Sequence, residues 1–208
     1  MELLKILKDV EILSVNGQVD IDIEDISYDS RKVKQNSMFL CIRGNSVDGH
    51  NYIDDAIQKG AIAILIDKKI SYKKGITYIR VNNVKEVMAI IGKNFFQNPC
   101  QKINLIGVTG TNGKTSVATF LKEILSKEAP CGFIGTTGIY DGKNYYDNKN
   151  TTPNNMEIQK NLSRMYENNC KYCVMEVSSH ALSLKRVENL FYKIGIFTNL
   201  TEDHLDFH

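Results

Sequence analysis

Apolar and polar positions divide the chain into two stretches of alternating strand-like and helix-like pattern, separated by a short polar break. In the first stretch, Leu3, Leu4, Ile6 and Leu7 predict an amphipathic helix, and residues 21–28 and 37–42 read as strands. Residues 52–59 predict a helix closed by Gly60, residues 61–66 a buried strand and residues 76–81 another. A helix over 84–96 carries Val87, Ile90 and Ile91 on one side. The polar, proline-containing run QNPCQK at 97–102 marks a boundary between residues 1–97 and 98–208. Beyond it, strands are predicted at 103–108, 131–139, 173–177 and 194–198, with a polar loop or hairpin at 140–150. Helices are predicted at 114–127, 156–168 and 179–188; the first turns Val117, Phe120, Leu121, Ile124 and Leu125 toward the sheet. Strands alternating with helices in this way define an α/β fold whose mostly parallel sheet has helices on both faces.

Composition narrows the function more than the fold. With 26 Lys and Arg against 24 Asp and Glu, the chain has no charge excess to hold a polyanion, so nucleic acid is not an expected partner and any phosphate recognition is local. The longest apolar run, at 61–66, is too short for a bilayer, and Asp9 and Glu11 interrupt any secretory core, so the expectation is a cytoplasmic protein without membrane insertion; a monomer is also expected. Five cysteines, an odd number, argue against a disulfide framework. The Cys170–Cys173 pair lacks a second CxxC or a nearby His pair and is read as structural.

The strongest chemical statement is LIGVTGTNGKTS at 105–116, a strand, a glycine-rich loop and a helix start. The backbone of Gly110, Thr111, Asn112, Gly113, Lys114, Thr115 and Ser116 is expected to cradle phosphate, aided by the positive end of the helix. Lys114 is placed to reach the terminal phosphates of a nucleotide, and the Thr115 hydroxyl to bind Mg²⁺. Val108 stands where the generic spacing has a glycine. Ligands of open parallel sheets collect at the carboxyl ends of strands, and three further polar segments fall there: Asn150-Thr151-Thr152-Pro153, Glu176 with Ser178-Ser179-His180, and Asn199 to Asp206. Glu176 beside Thr115 is the oxygen pair expected of a phosphate-bridging Mg²⁺, the alternatives being an ion pair or a solvated edge position. His204 suits either a second metal position or the first turn of a helix capped by Thr201, and His180 either a site role or a helix start. Thr151 and Thr152 alone are an ordinary extended segment before a proline.

Taken together, GVTGTNGKTS, the NTTP at 150–153, EVSSHAL at 176–182, Arg186 and FTNLTEDHLDFH at 197–208 resemble the Mur ligases of peptidoglycan synthesis, in particular the branch that adds the third amino acid. ISYDSRKV at 26–33 and MFLCIRGNSVDGHNYIDDAIQKGA at 38–61 are similar to that family's UDP-binding domain, and Val108 is how the family writes its loop. The resemblance implies a small N-terminal α/β UDP-binding domain (1–97), then a truncated ATP-binding central domain of P-loop type (98–208), with a C-terminal amino-acid-binding domain absent. It implies ATP-dependent joining of lysine or meso-diaminopimelate to UDP-N-acetylmuramoyl-L-alanyl-D-glutamate through an acyl phosphate. The residues implied are Lys114, Glu176 and His204 in catalysis, and Thr115, Glu176 and His204 on Mg²⁺. Asn150, Thr151, Thr152, Ser178 and Arg186 would hold the muramoyl-peptide and Ser30 the uridine side, while Asn45 and Ser46 fall at the uracil loop. On this reading the partners are UDP-N-acetylmuramoyl-dipeptide and ATP, and the 208 residues alone bind the UDP end with little or no ligase activity. The choice of amino acid is left open. Two alternatives stand beside it: a folylpolyglutamate-synthetase-like ligase, which shares the loop but not the front domain, and a non-catalytic UDP-sugar-binding module.

Overall fold

A computed structural model describes residues 1–44 and 47–201. The chain divides into two compact units, Met1–Phe95 and a second beginning at Phe96. Both carry mostly parallel sheets flanked by helices, the α/β class that the alternating pattern predicts.

In the first unit, strands β1 (Ser14–Asn16), β2 (Asp25–Ser27), β3 (Ser37–Leu40), β4 (Ala61–Ile66) and β5 (Thr77–Arg80) lie in the order β1-β5-β4-β3-β2. β2 to β5 run parallel and β1 antiparallel on the edge, pairing Val15 with Ile79. β4 sits centrally and is buried at every position but Ile62, which is why its sequence is a continuous apolar run rather than an alternation. On one face Phe39, Ile64, Ile66 and Tyr78 pack with Ile53 and Ala56 of helix α2 (Ile53–Gln58), which Gly60 closes at positive φ. Helix α1 (Leu3–Ile6) packs with α3 (Val84–Phe95), and Asn94 Nδ2 donates to the carbonyls of Ile6 and Lys8 at 3.0 and 2.7 Å. The sequence stripe on α3 is corrected: Val84, Met88 and Ile91 are buried with Ala89 and Gly92, while Val87 and Ile90 stay half-buried. β1 is exposed throughout, so burial imposed no pattern on it and it escaped the periodicity reading.

At the carboxyl ends of β3 and β4 the charges form one network. Lys68 Nζ reaches Asp48 Oδ2 at 2.6 Å, His50 Nδ1 lies 2.6 Å from Asp48 Oδ1, and the Asp67 N–H donates to His50 Nε2 at 3.4 Å. Arg43 pairs with Asp67 at 2.6 Å. The Lys68 ammonium, with help from the His50 amide and ring, holds the Asp48 carboxyl well below the usual carboxylate range. A depressed acid stabilises the fold above its unfolded value of about 4 and loses that contribution as pH falls toward its folded value. Asp48→Asn is therefore expected to cost about 1 kcal/mol at neutral pH. Thermal melts between pH 2 and pH 7 should show the variant losing less stability than the parent below about pH 4.

The second unit contains β6 (Asn104–Thr109), α4 (Lys114–Leu125), β7 (Cys131–Gly135), β8 (Gly138–Tyr140), β9 (Tyr145–Tyr146), α5 (Asn155–Glu167), β10 (Tyr172–Glu176), α6 (Ser179–Ser183) and β11 (Ile194–Phe197). The sheet order is β11-β6-β10-β7-β8-β9, with β11, β6, β10 and β7 parallel and β8 and β9 added as antiparallel strands. Leu105, Ile134, Met175 and Val177 pack beneath Ile158, Leu162 and Met165 of α5, and Ile106, Val108, Phe133 and Val174 beneath α4 on the other face. Two sequence readings change. The α4 face on the sheet is Ala118 with Val117, Leu121 and Leu125, whereas Phe120 and Ile124 are 66% and 60% exposed. The helix foreseen over 179–188 stops at Ser183, and Lys185 and Asn189 take positive φ in the turns that follow. All five cysteines are buried and free, including Cys170 and Cys173 in the core under α5. Among the described residues, no helix is long and apolar enough to cross a membrane.

Candidate nucleotide-binding site

The order of the second sheet puts the carboxyl ends of β11, β6, β10 and β7 side by side, and each delivers a polar segment. After β6 the chain turns through Gly110 (φ 130) and Gly113 (φ 83) into α4. The first helical bond there is Val117 N–H to the Gly113 carbonyl at 2.9 Å. The amides of Lys114, Thr115 and Ser116 therefore precede the helical ladder and offer an anion their N–H groups and the helix's positive end. Lys114 Nζ folds back on the loop and donates to the carbonyls of Gly110 and Thr111 at 2.7 and 2.9 Å.

Thr111 and Asn112 behave differently from the sequence reading. Their amides are engaged within the protein, donating to the Asn199 carbonyl and to Asn199 Oδ1, both at 3.0 Å. Asn199 Nδ2 returns a bond to the Asn112 carbonyl at 3.0 Å, Thr198 Oγ1 adds another at 2.7 Å, and Thr111 and Thr201 bond to each other twice. Residues 198–201 thus strap the loop. In the sequence Asn199 stands out only as the start of a polar segment at a strand end and Thr198 only as part of the 197–208 motif; neither signal points to a strap on the loop.

Glu176 ends β10, opposite Val108 of β6, and is fully buried. Thr115 Oγ1 donates to its Oε2 at 2.7 Å, the Thr136 amide to its Oε1 at 2.9 Å, and Thr136 Oγ1 to Oε2 at 3.3 Å. A side chain on Gly135 would overlap Oε1, so the glycine makes the room. Neither a solvated edge nor an ion pair describes this carboxylate: β10 is central, and no cationic side chain reaches it among the described residues. A buried acid held only by neutral donors is costly on its own. The donor set, one carboxylate and one hydroxyl beside free helix amides, fits Mg²⁺, which takes oxygen ligands and fills its remaining positions from phosphate and water. No group of three or more His, Cys, Asp and Glu able to hold a metal occurs among the described residues, and His204 lies outside them.

The segment before α5 closes on the main chain of the same residue. Thr152, 1% exposed, donates through Oγ1 to the Glu176 carbonyl at 2.8 Å and accepts the Ser178 amide at 3.0 Å. Its hydroxyl is thereby engaged within the protein. Thr151, half-buried, has Oγ1 3.0 Å from Thr136 Oγ1, and Asn150 is exposed. Arg186 Nη1 donates to the Thr152 carbonyl at 3.0 Å, and Asn155 Nδ2 ties down the carbonyls of Arg186 and Glu188 at 3.2 and 2.6 Å. Ser178 Oγ caps α6 by accepting from Ala181, and His180 lies in the first turn of that helix. In the first unit, Ser30 is buried, with its carbonyl accepting Lys59 Nζ at 3.0 Å. Beside it, Arg31 holds the Asp29 carboxyl down to about 2. Asn45 and Ser46 lie outside the described residues.

A glycine loop that opens a helix at a central strand end, with a buried carboxylate on the next strand, defines a phosphate-loop nucleotide-binding domain. Residues 108–208 match the family description "Mur ligase middle domain" and residues 22–96 match "Mur ligase family, catalytic domain". The chain belongs to the Mur ligase family. It is 48% identical over 209 aligned residues to the UDP-N-acetylmuramoyl-L-alanyl-D-glutamate--2,6-diaminopimelate ligase of Clostridioides difficile, covering 100% of this chain and 43% of that protein. Against the ligase of the same name from Alkaliphilus metalliredigens the identity is 46%, covering 100% of this chain and 42% of the relative. The chain thus spans less than half the length of the curated relatives it matches. A solved structure of a ligase of that name superposes with a TM-score of 0.76 at 24% identity, over 99% of this chain and 41% of that one. The MurF ligase of Thermotoga maritima, solved in complex with ADP, gives 0.53 at 20% identity over 75% of this chain and 32% of its own. Membership removes the folylpolyglutamate-synthetase-like alternative, since the front unit too matches the Mur ligase family.

Proposed function

We propose that this chain supplies the UDP-substrate-binding unit and the ATP-binding unit of UDP-N-acetylmuramoyl-tripeptide synthetase, the ligase that joins 2,6-diaminopimelate to UDP-N-acetylmuramoyl-L-alanyl-D-glutamate. The observation that carries the reading is the buried Glu176 carboxylate on the Thr115 hydroxyl, 2.7 Å away at the mouth of the helix-start loop. The names of the relatives at 48% and 46% identity support the substrate and the amino acid.

In this reaction the D-glutamate carboxylate attacks the γ-phosphorus of ATP as the bond to ADP breaks. The resulting acyl phosphate loses phosphate when the incoming amine attacks its carbonyl carbon and gives up a proton. The amides of Lys114 to Ser116 bind the phosphate chain, and the Lys114 ammonium moves from the Gly110 and Thr111 carbonyls to the transferring oxygens. Thr115 and Glu176 would hold Mg²⁺, which neutralises charge on the phosphates when bound. Thr151 and Arg186 would face the muramoyl-peptide, with Thr152 and Ser178 fixing the backbone behind them. Ser30 would meet the uridine side, and His204 a second Mg²⁺.

Calorimetric titration of the chain with ATP, with and without Mg²⁺, and separately with UDP-N-acetylmuramoyl-L-alanyl-D-glutamate tests the reading. The expected result is binding of both, with ATP at least about tenfold weaker when Mg²⁺ is withheld. Failure to bind either ligand would overturn it. Precursor binding without any ATP binding would favour the sugar-nucleotide module instead.

A further inference from the structure

Thr136 belongs to none of the motifs read from the sequence, yet it touches both halves of the second unit's site. It follows β7 through Gly135, gives its amide to Glu176 Oε1 at 2.9 Å, and places Oγ1 3.3 Å from Glu176 Oε2 and 3.0 Å from Thr151 Oγ1. We infer that Thr136 is a positioning residue that links occupancy of the phosphate loop to the affinity of the Thr151 loop for the muramoyl-peptide. This rests on the function proposed above.

The link follows from the number of protons available. A hydroxyl has one proton to give and lone pairs to accept with. With Glu176 free, Thr136 gives its proton to Oε2, and the Thr151 hydroxyl must then serve as donor to Thr136. A cation held by Glu176 and Thr115 competes for the Oε2 lone pairs, and Thr136 can turn its proton to Thr151 instead. Thr151 then accepts from Thr136, and its own proton is free for a ligand. The neighbouring backbone cannot drift to cancel the change, because Thr152 is pinned to Glu176 and Ser178 and its carbonyl is held by Arg186. Each ligand therefore tightens the other by the same factor, about fivefold for one hydrogen bond exchanged.

The test measures the Kd of UDP-N-acetylmuramoyl-L-alanyl-D-glutamate for the chain, free and saturated with a non-hydrolysable ATP analogue and Mg²⁺, and then the reverse titration. The parent should show about a fivefold tightening in both directions, Thr136→Ser should keep it, and Thr136→Val should bring it to about onefold. Thr151→Val cuts the same hydroxyl pair from the other side and should abolish the linkage equally, so the inference survives poor folding of one variant. A parent that binds both ligands without linkage, or a Thr136→Val chain that retains it, overturns the inference and leaves the proposed function standing. A parent that binds neither ligand overturns both.

Discussion

Glu176→Gln is expected to leave the ligand-free chain as stable as the parent or more so, while weakening Mg²⁺-dependent ATP binding by about 100-fold. The two effects oppose each other for one reason. The carboxylate is fully buried and its partners are an amide and two hydroxyls, so the ligand-free protein bears a desolvated charge without a counter-charge among the described residues. Glutamine keeps an oxygen for the Thr136 amide, and its NH₂ can donate to hydroxyls that now accept. The pocket stays satisfied and the charge is gone. What is lost is the anionic oxygen that a hard cation requires. Urea unfolding and ATP·Mg²⁺ calorimetry on the same preparations check both arms; a destabilised variant that binds ATP·Mg²⁺ normally would assign Glu176 a purely structural role.

The second large effect is expected at Gly110. Alanine there would keep φ near 130, outside the region L-residues adopt, and its Cβ would strike Thr198 Oγ1 and lie 2.8 Å from the Asn199 carbonyl oxygen. Either the loop or the strap must move, breaking bonds that hold Thr111 and Asn112. A loss of about 3 kcal/mol in denaturant unfolding is expected, together with ATP binding too weak to detect. Gly113→Ala is the control: φ is 83, nothing lies within 4 Å of the added carbon, and only the backbone preference of about 1 kcal/mol is lost. Equal losses at the two glycines would show that the strap contributes nothing.

The contrast between those glycines illustrates what the sequence could and could not disclose. Strand, loop and helix were legible because apolar runs and glycine clusters are local signals, and Glu176 was legible because a charge in an apolar strand demands an explanation. Thr136 and Asn199 were not, because their significance lies in partners 40 and 87 residues away along the chain. The same distance hides the fate of Thr152, whose hydroxyl is engaged by a strand end 24 residues on. On α4, apolar spacing overstated the buried face: Phe120 and Ile124 lie one step around from Val117, Leu121 and Leu125, beyond the width the sheet covers. The family motifs suggested roles that spacing alone left open, such as those of Thr151 and His204.

The resting place of Lys114 has one more implication. A lysine free in water loses about 2 kcal/mol of rotational freedom when a ligand immobilises it. Here the two carbonyls of Gly110 and Thr111 have already stilled the side chain during folding, so an arriving triphosphate has only to outbid neutral oxygens for a cation standing next to it. Such a berth favours strength of grip, because the ordering of the side chain precedes the ligand's arrival.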